Sequence, residues 1–193
     1  DASGNGNDGI ISGATRTTAG RFGGALSFDG VDDWIDLNTL DIDGGDGLTI
    51  SLWMKAEDFG TYDARLVSKA TGVYDNDHYW MLSTFQNNSV RFRLKAGGST
   101  TTLISASGVI AAGQWHHVAA AYDGLWMRLY VDGRIVGSTA KTGAVDISGN
   151  VPAGIGDQPQ GTKPFDGLID EVRFYNRPLT TAQIQTDMVT PVG

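Results

Sequence analysis

Two Asp-Gly pairs, Asp123-Gly124 and Asp132-Gly133, punctuate the run of apolar residues between Gln114 and Thr139. Asp-Gly is a strong signal for a two-residue type I′ hairpin turn, because both central residues then need positive φ. The spacing predicts a three-stranded meander of Trp115 to Tyr122, Leu125 to Val131 and Arg134 to Ser138. A chain built on such meanders folds into antiparallel sheets. The rest of the chain has the same character. Leu48, Ile50, Leu52 and Met54 alternate with Thr49, Ser51, Trp53 and Lys55, the period of a strand. Tyr79 to Phe85 and Ser89 to Lys95 flank Gln86-Asn87-Asn88, and Gly97-Gly98 turns the chain into Thr100 to Ser105. Ala25 to Phe28 and Trp34 to Leu37 read as a hairpin about Asp29-Gly30. The last predicted strand is Gly167 to Tyr175. Thr180 and Gln183 then form a capping box for one short helix, Ala182 to Met188. The fold class is all-β, a two-sheet antiparallel sandwich with one short C-terminal helix. No repeat or linker interrupts it, so residues 1–193 read as a single domain.

At 193 residues the chain buries roughly 70% of its unfolded surface, enough for a core without covalent staples. It has no cysteine, which excludes disulfides, thiolate zinc sites and cysteine nucleophiles. The 14 Lys and Arg against 22 Asp and Glu give a net charge of −8, which repels a phosphate backbone, so no nucleic-acid partner is expected. No stretch approaches the roughly 20 apolar residues of a membrane span. The abrupt start at Asp1, without a signal peptide, reads as a module excised from a larger protein. A monomer is expected.

Four stretches in order carry a family resemblance: DASGNGNDG (1–9) with FGGALSFDGVDDWIDL (22–37), LTISLWMK (48–55), GQWHHVAAAYDGLWMRLYVDG (113–133), and FDGLIDEVRFYNRPLTTAQI (165–184). Together the chain resembles the laminin-G-like jelly-roll domains of bacterial extracellular proteins, within the concanavalin A-like superfamily. The resemblance implies a jelly roll, a secreted or cell-surface location, a structural calcium, and a polysaccharide, glycan or protein as partner, beside neighbouring domains of the parent chain.

Calcium takes six to eight oxygen ligands. Asp1, Ser3, Asn5 and Gly6 imitate the start of an EF-hand loop, but Ser12 stands at its closing position, so no EF-hand forms. The resemblance implies a site anchored by Asp29 and Asp170, completed by Asn5, Asn7, Asp32 and backbone carbonyls. The alternative is that these residues only form turns.

Sugars pack their C–H faces on aromatic rings while polar groups hold their hydroxyls. Residues 61–80 are rich in both: Tyr62, Arg65, Lys69, Tyr74, Asp75, Asn76, His78 and Trp80. Gln158, with Asp157 and Gln160, sits on another polar loop, and Trp126 follows a turn. These form the candidate ligand set, since loops on a rigid scaffold are frequent binding sites. Arg65 and Lys69 suit an acidic glycan. Against this, Tyr79 or Trp80 must face the core, and Asp-Asn-Asp is an ordinary turn. Trp34, Trp53 and Trp115 read as packing residues.

Glycoside hydrolysis needs two carboxylates flanking the bond. Glu57 and Glu171, the two glutamates, are far apart, and Asp170 and Glu171 point to opposite faces of a strand. His116 and His117 diverge in the same way. The sequence therefore reads as a non-catalytic carbohydrate-binding module. A structural or protein-interaction module is the alternative, ahead of a polysaccharide lyase or glycoside hydrolase.

Overall fold

The computed structural model describes residues 1–42, 45 and 47–192. Its strands, numbered along the chain, form two antiparallel sheets. The first is ordered β1 (Ile10–Ser12), β4 (Trp34–Asp36), β13 (Ala153–Ile155), β6 (Arg65–Ala70), β7 (His78–Phe85), β8 (Ser89–Ala96) and β9 (Ser99–Ile104). The second is ordered β12 (Arg134–Ala140), β11 (Trp126–Val131), β10 (His116–Tyr122), β5 (Leu48–Ala56), β14 (Asp166–Tyr175), β3 (Gly23–Asp29) and β2 (Thr15–Gly20). No described helix is long and apolar enough to cross a membrane.

Alternation places the core. Leu48, Ile50, Leu52 and Met54 of β5 face inward, opposite Trp80 and Leu82 of β7 and Val90, Phe92 and Leu94 of β8, and all are buried. Each fully buried aliphatic side chain contributes roughly 1.5–3 kcal/mol. The other side of β5 is also covered. Trp53 lies on the outer face of the second sheet, against Phe22 and His117, and its Nε1 donates to the Met188 carbonyl.

The helix α1 (Thr181–Asp187) starts at the expected box: Gln183 N donates to Thr180 Oγ1 and Thr180 N to Gln183 Oε1. Ile184, with Leu179, packs on Ala119, Ala121 and Tyr130 of the second sheet. The small alanines on β10 leave room for the helix.

Two turn expectations are corrected. Asp132 and Gly133 both have positive φ, as a type I′ turn requires, but at Asp123-Gly124 only the glycine does. There the Asp123 carboxylate accepts from Leu125 N and Trp126 N, which widens the connection. Ala25 to Phe28 and Trp34 to Leu37 do not form a hairpin. β3 pairs with β2 and β14, whereas β4 pairs with β1 and β13, so the chain crosses between sheets at residues 30–33. Asp33 fixes this crossing, its Oδ2 accepting from Asp29 N at 2.9 Å.

Candidate ligand-binding face

The outer face of the first sheet carries a buried polar layer. Its inner side takes Val90, Phe92 and Leu94 of β8, so Arg91, Arg93 and Lys95 point outward. Asp63, in left-handed backbone at φ 66°, pairs with both Arg65 and Arg91 and accepts from Ser83 Oγ. Charges removed from water this way need such partners. Burial lowers the Arg91 pKa to about 10, against the raising effect of Asp63.

Two loops lie on this layer. Arg65 Nε donates to Gln158 Oε1 at 2.8 Å, and Gln158 Nε2 donates to the Gly72 carbonyl. Gln160 Nε2 donates to the Ala70 carbonyl. Residues 157–163 are thus pinned to residues 70–77. His78 Nδ1 lies 2.8 Å from the Tyr74 carbonyl, which must accept, so Nδ1 carries the proton and Nε2 is left to accept from Arg65 Nη2. Burial, reinforced by Arg65 and Arg93, lowers the His78 pKa to about 4, so the imidazole is neutral near pH 7.

Above this layer stands an aromatic and cationic ledge. The Tyr62 ring, 51% exposed, lies 5.3 Å from the Phe85 ring. Arg91 stacks on Phe85 at 4.5 Å, and Lys163 lies over Tyr62 at 5.2 Å while donating to the Tyr62 carbonyl. Cations at this range from a ring face are attracted by its quadrupole. Tyr74, 78% exposed, stands on the same loop layer with Asp75 and Asn76, and Asp75 is tied to Arg93.

The expected ligand residues therefore separate into two groups. Tyr62, Tyr74, Asp75 and Asn76 are exposed. Arg65, Lys69, His78, Trp80 and Gln158 are buried, and no solvent-facing sugar can rest on them. Trp80 is a core residue, and Lys69 Nζ is held by Asp41 and by the Thr39 and Val151 carbonyls. Trp126 is exposed but belongs to β11 of the other sheet, away from the ledge. Phe85, Arg91 and Lys163 escaped the sequence reading. The alternation of Arg91, Arg93 and Lys95 with Val90, Phe92 and Leu94 was the available signal.

The aspartates at the 30–33 crossing form a second centre. Carboxylate oxygens of Asp29, Asp32 and Asp33 lie within 4.8 Å of one another. Asp166 of β14 pairs with Asp29. Its carboxyl is pushed up by burial and by repulsion from Asp58, Glu57 and Asp29. Among the described residues none of these carboxylates forms an ion pair. That donor set fits a hard cation, which oxygen ligands and accumulated negative charge favour. The other expected ligands lie elsewhere. Asp170 is four residues along β14 from Asp166, about 13 Å at strand rise, and accepts from Phe22 N. β1 runs so that Ser12 opposes Trp34 and Ile10 opposes Asp36, which puts Asn5 and Asn7 beyond the far end of that ladder.

The family Laminin_G_3, described as the concanavalin A-like lectin/glucanases superfamily, matches residues 29–185. The chain belongs to this family. Among curated proteins it is similar to adhesion G-protein coupled receptor V1 of Danio rerio, 26% identical over 143 residues, covering 70% of this chain and 2% of the receptor. It is also similar to pappalysin-1 of Homo sapiens, 32% identical over 110 residues, covering 50% of this chain and 6% of that protein. The chain thus spans a small fraction of its curated relatives. Among solved structures it resembles domain 4 of AbnA, an extracellular arabinanase of Geobacillus stearothermophilus in complex with arabinotriose. That match has a TM-score of 0.68 and 24% identity, covering 97% of this chain and 91% of that one. At this identity it shows a shared fold, a jelly-roll sandwich.

Proposed function

We propose that this laminin-G-like chain is a non-catalytic glycan-binding module of a secreted or cell-surface protein, with the Tyr62 ledge as its binding face. The carrying observation is the exposed Tyr62 ring, set between Phe85 and Lys163 on loops pinned by Gln158. A sugar ring stacks on Tyr62, and Lys163 and the Asp75–Asn76 edge supply polar contacts to hydroxyls. Pre-ordered loops reduce the entropy lost on binding. The likeness to an arabinotriose-bound domain supports this reading. Affinity electrophoresis against arabinan and a panel of neutral and acidic polysaccharides tests it. Retardation by one of them is expected, and no retardation by any would overturn it.

We propose further that calcium binds Asp29, Asp32 and Asp33. The ion would supply positive charge to a crossing that lacks any, and would join the two sheets at one end. Asp166 would be relieved of repulsion there. Binding of an ion to the folded state raises the unfolding midpoint. Calcium should raise the midpoint and a chelator lower it, and Asp33→Ala should remove that difference. A midpoint indifferent to both would exclude the site.

A further inference from the structure

A crevice of about 990 Å³ opens at the edge of the sandwich, away from the Tyr62 ledge. Its apolar walls come from both sheets: Ile11, Ile35 and Ile155 from the first, and Leu26, Val172 and Phe174 from the second. A second space of about 580 Å³ adjoins it, sharing Leu26, Ile35, Ile155 and Val172 and reaching Gly24 and Phe28. Small-molecule sites fall in this range, roughly 300–1,000 Å³ with mostly apolar linings.

The wall common to the two spaces is also where β14 departs from regular geometry. Its register shifts between Asp170 and Arg173, and Glu171 stands in left-handed backbone at φ 55°. Bulges of this kind re-aim side chains, and non-glycine residues keep such backbone only where the surroundings impose it. Here the bulge lets the Glu171 carboxylate turn back to Arg173 and Val192 N, while Val172 faces the crevice.

The charges at the crevice are unequally satisfied. Asp187 takes Arg173, Ser51 and Tyr175, and Glu171 takes Arg173 and Val192 N. Asp1 accepts from Ser3 and Asn7, and Asp170 from Phe22 N. Arg16 and Arg177 line the same crevice and are both exposed; among the described residues neither has a carboxylate partner, though Arg177 lies over the Tyr175 ring at 5.8 Å. Asp1 and Asp170 hold only neutral donors, so what the crevice offers an incoming head is the pair of exposed guanidiniums at its rim.

We propose that this crevice binds a single-chain amphiphile with an anionic head, such as a long-chain carboxylate. The chain lies between Ile35, Ile155, Leu26 and Val172, and the head meets Arg16 and Arg177. The site is independent of the glycan reading, since it uses none of the ledge residues. The test uses oleate and oleyl alcohol below their aggregation concentrations, measured by displacement of a fluorescent fatty acid. Gly24 shares the inward parity of Leu26 and Phe28, and a Cβ there meets nothing within 4 Å. Gly24→Phe should therefore fill the adjoining space without lowering the unfolding midpoint, and should abolish binding. The double variant Arg16→Gln, Arg177→Gln should weaken oleate at least tenfold while leaving the alcohol unchanged. Failure of oleate to bind, or binding by Gly24→Phe equal to the parent, would overturn the proposal. Oleate binding undiminished in the double variant would overturn the assignment of an anionic head.

Discussion

Arg65 and Gln158, 93 residues apart in sequence, meet at 2.8 Å beneath the loops of the first sheet. Gln158 is the hinge pin of that layer, because its other end donates to the Gly72 carbonyl. Gln158→Ala leaves Arg65 Nε and the Gly72 carbonyl without these partners. A buried polar group left unpaired costs about 1–3 kcal/mol. The variant should lose about 2–4 kcal/mol in urea unfolding and become protease-sensitive within residues 71–77. Unchanged stability and cleavage would show that the loops are held by other contacts.

Tyr62, in the loop before β6 of the first sheet, and Trp126, on β11 of the second, are both exposed aromatics. If glycans bind the ledge, Tyr62→Ala should weaken binding about tenfold or more, since burying a Phe-sized ring is worth roughly 1.5–3 kcal/mol. Trp126→Ala should bind as the parent does. Both changes sit at the surface, so unfolding midpoints should hardly move. The reverse result would transfer the binding role to the β11 edge, where Leu125 is also exposed, and would favour a protein-interaction module.

The sandwich was legible in the sequence because alternation of residue type reports which face of a strand meets the core. Residue type alternates along β5 and β8, and the Asp-Gly pairs bracket β10 and β11. β1, β2 and β13 were not legible, being short or polar: β2 reads Thr-Arg-Thr-Thr-Ala-Gly. β6 was obscured because Arg65 and Lys69, which signal exposure locally, are buried by partners distant in sequence. The candidate site suffered from the same effect. Composition marked residues 61–80 as polar and aromatic, but which side chains remain exposed depends on loop 157–163 folding over them. The acidic crossing was half legible. Asp29 and Asp32 could be read, whereas preferring Asp33 and Asp166 to Asp170 required knowing that residues 30–33 pass between sheets.

His78 and His117 are both buried, and burial is the main reason each pKa falls to about 4. Arg65 and Arg93 push His78 the same way, while Asp187 and Asp132 oppose the shift at His117 without cancelling it. The unfolded imidazole titrates near 6.5, so between pH 6.5 and 4 the unfolded state binds protons the folded state does not. Stability is therefore full above about pH 6.5 and falls as pH drops through that window, by on the order of 3 kcal/mol for each residue. Urea midpoints at pH 7.5 and 4.5 should differ accordingly, and His117→Phe should flatten part of the slope. Equal midpoints would mean that both imidazoles are protonated within the fold.

Asp187 closes the C-terminal segment onto the second sheet. Burial raises its carboxyl, but hydrogen bonds from Tyr175, Ser51 and Arg173 outweigh that and leave it below the ordinary value. Ser51 Oγ reaches it at 2.7 Å from β5, so the contact joins the end of α1 to the centre of the sheet. Breaking a buried pair by removing one partner costs about 3–5 kcal/mol, since the remaining charge stays desolvated. Arg173 keeps Glu171, which places Asp187→Ala near about 3 kcal/mol. Asp187→Asn should lose less, because its one amide oxygen still accepts from either Ser51 or Tyr175, which reach different oxygens of the carboxylate. Hydrogen exchange should locate the damage. Protection falls first across α1 and at the Trp53–Met188 contact, while β7 and β8 keep theirs. Uniform loss of protection in both sheets would show instead that the helix and the sandwich unfold as one unit.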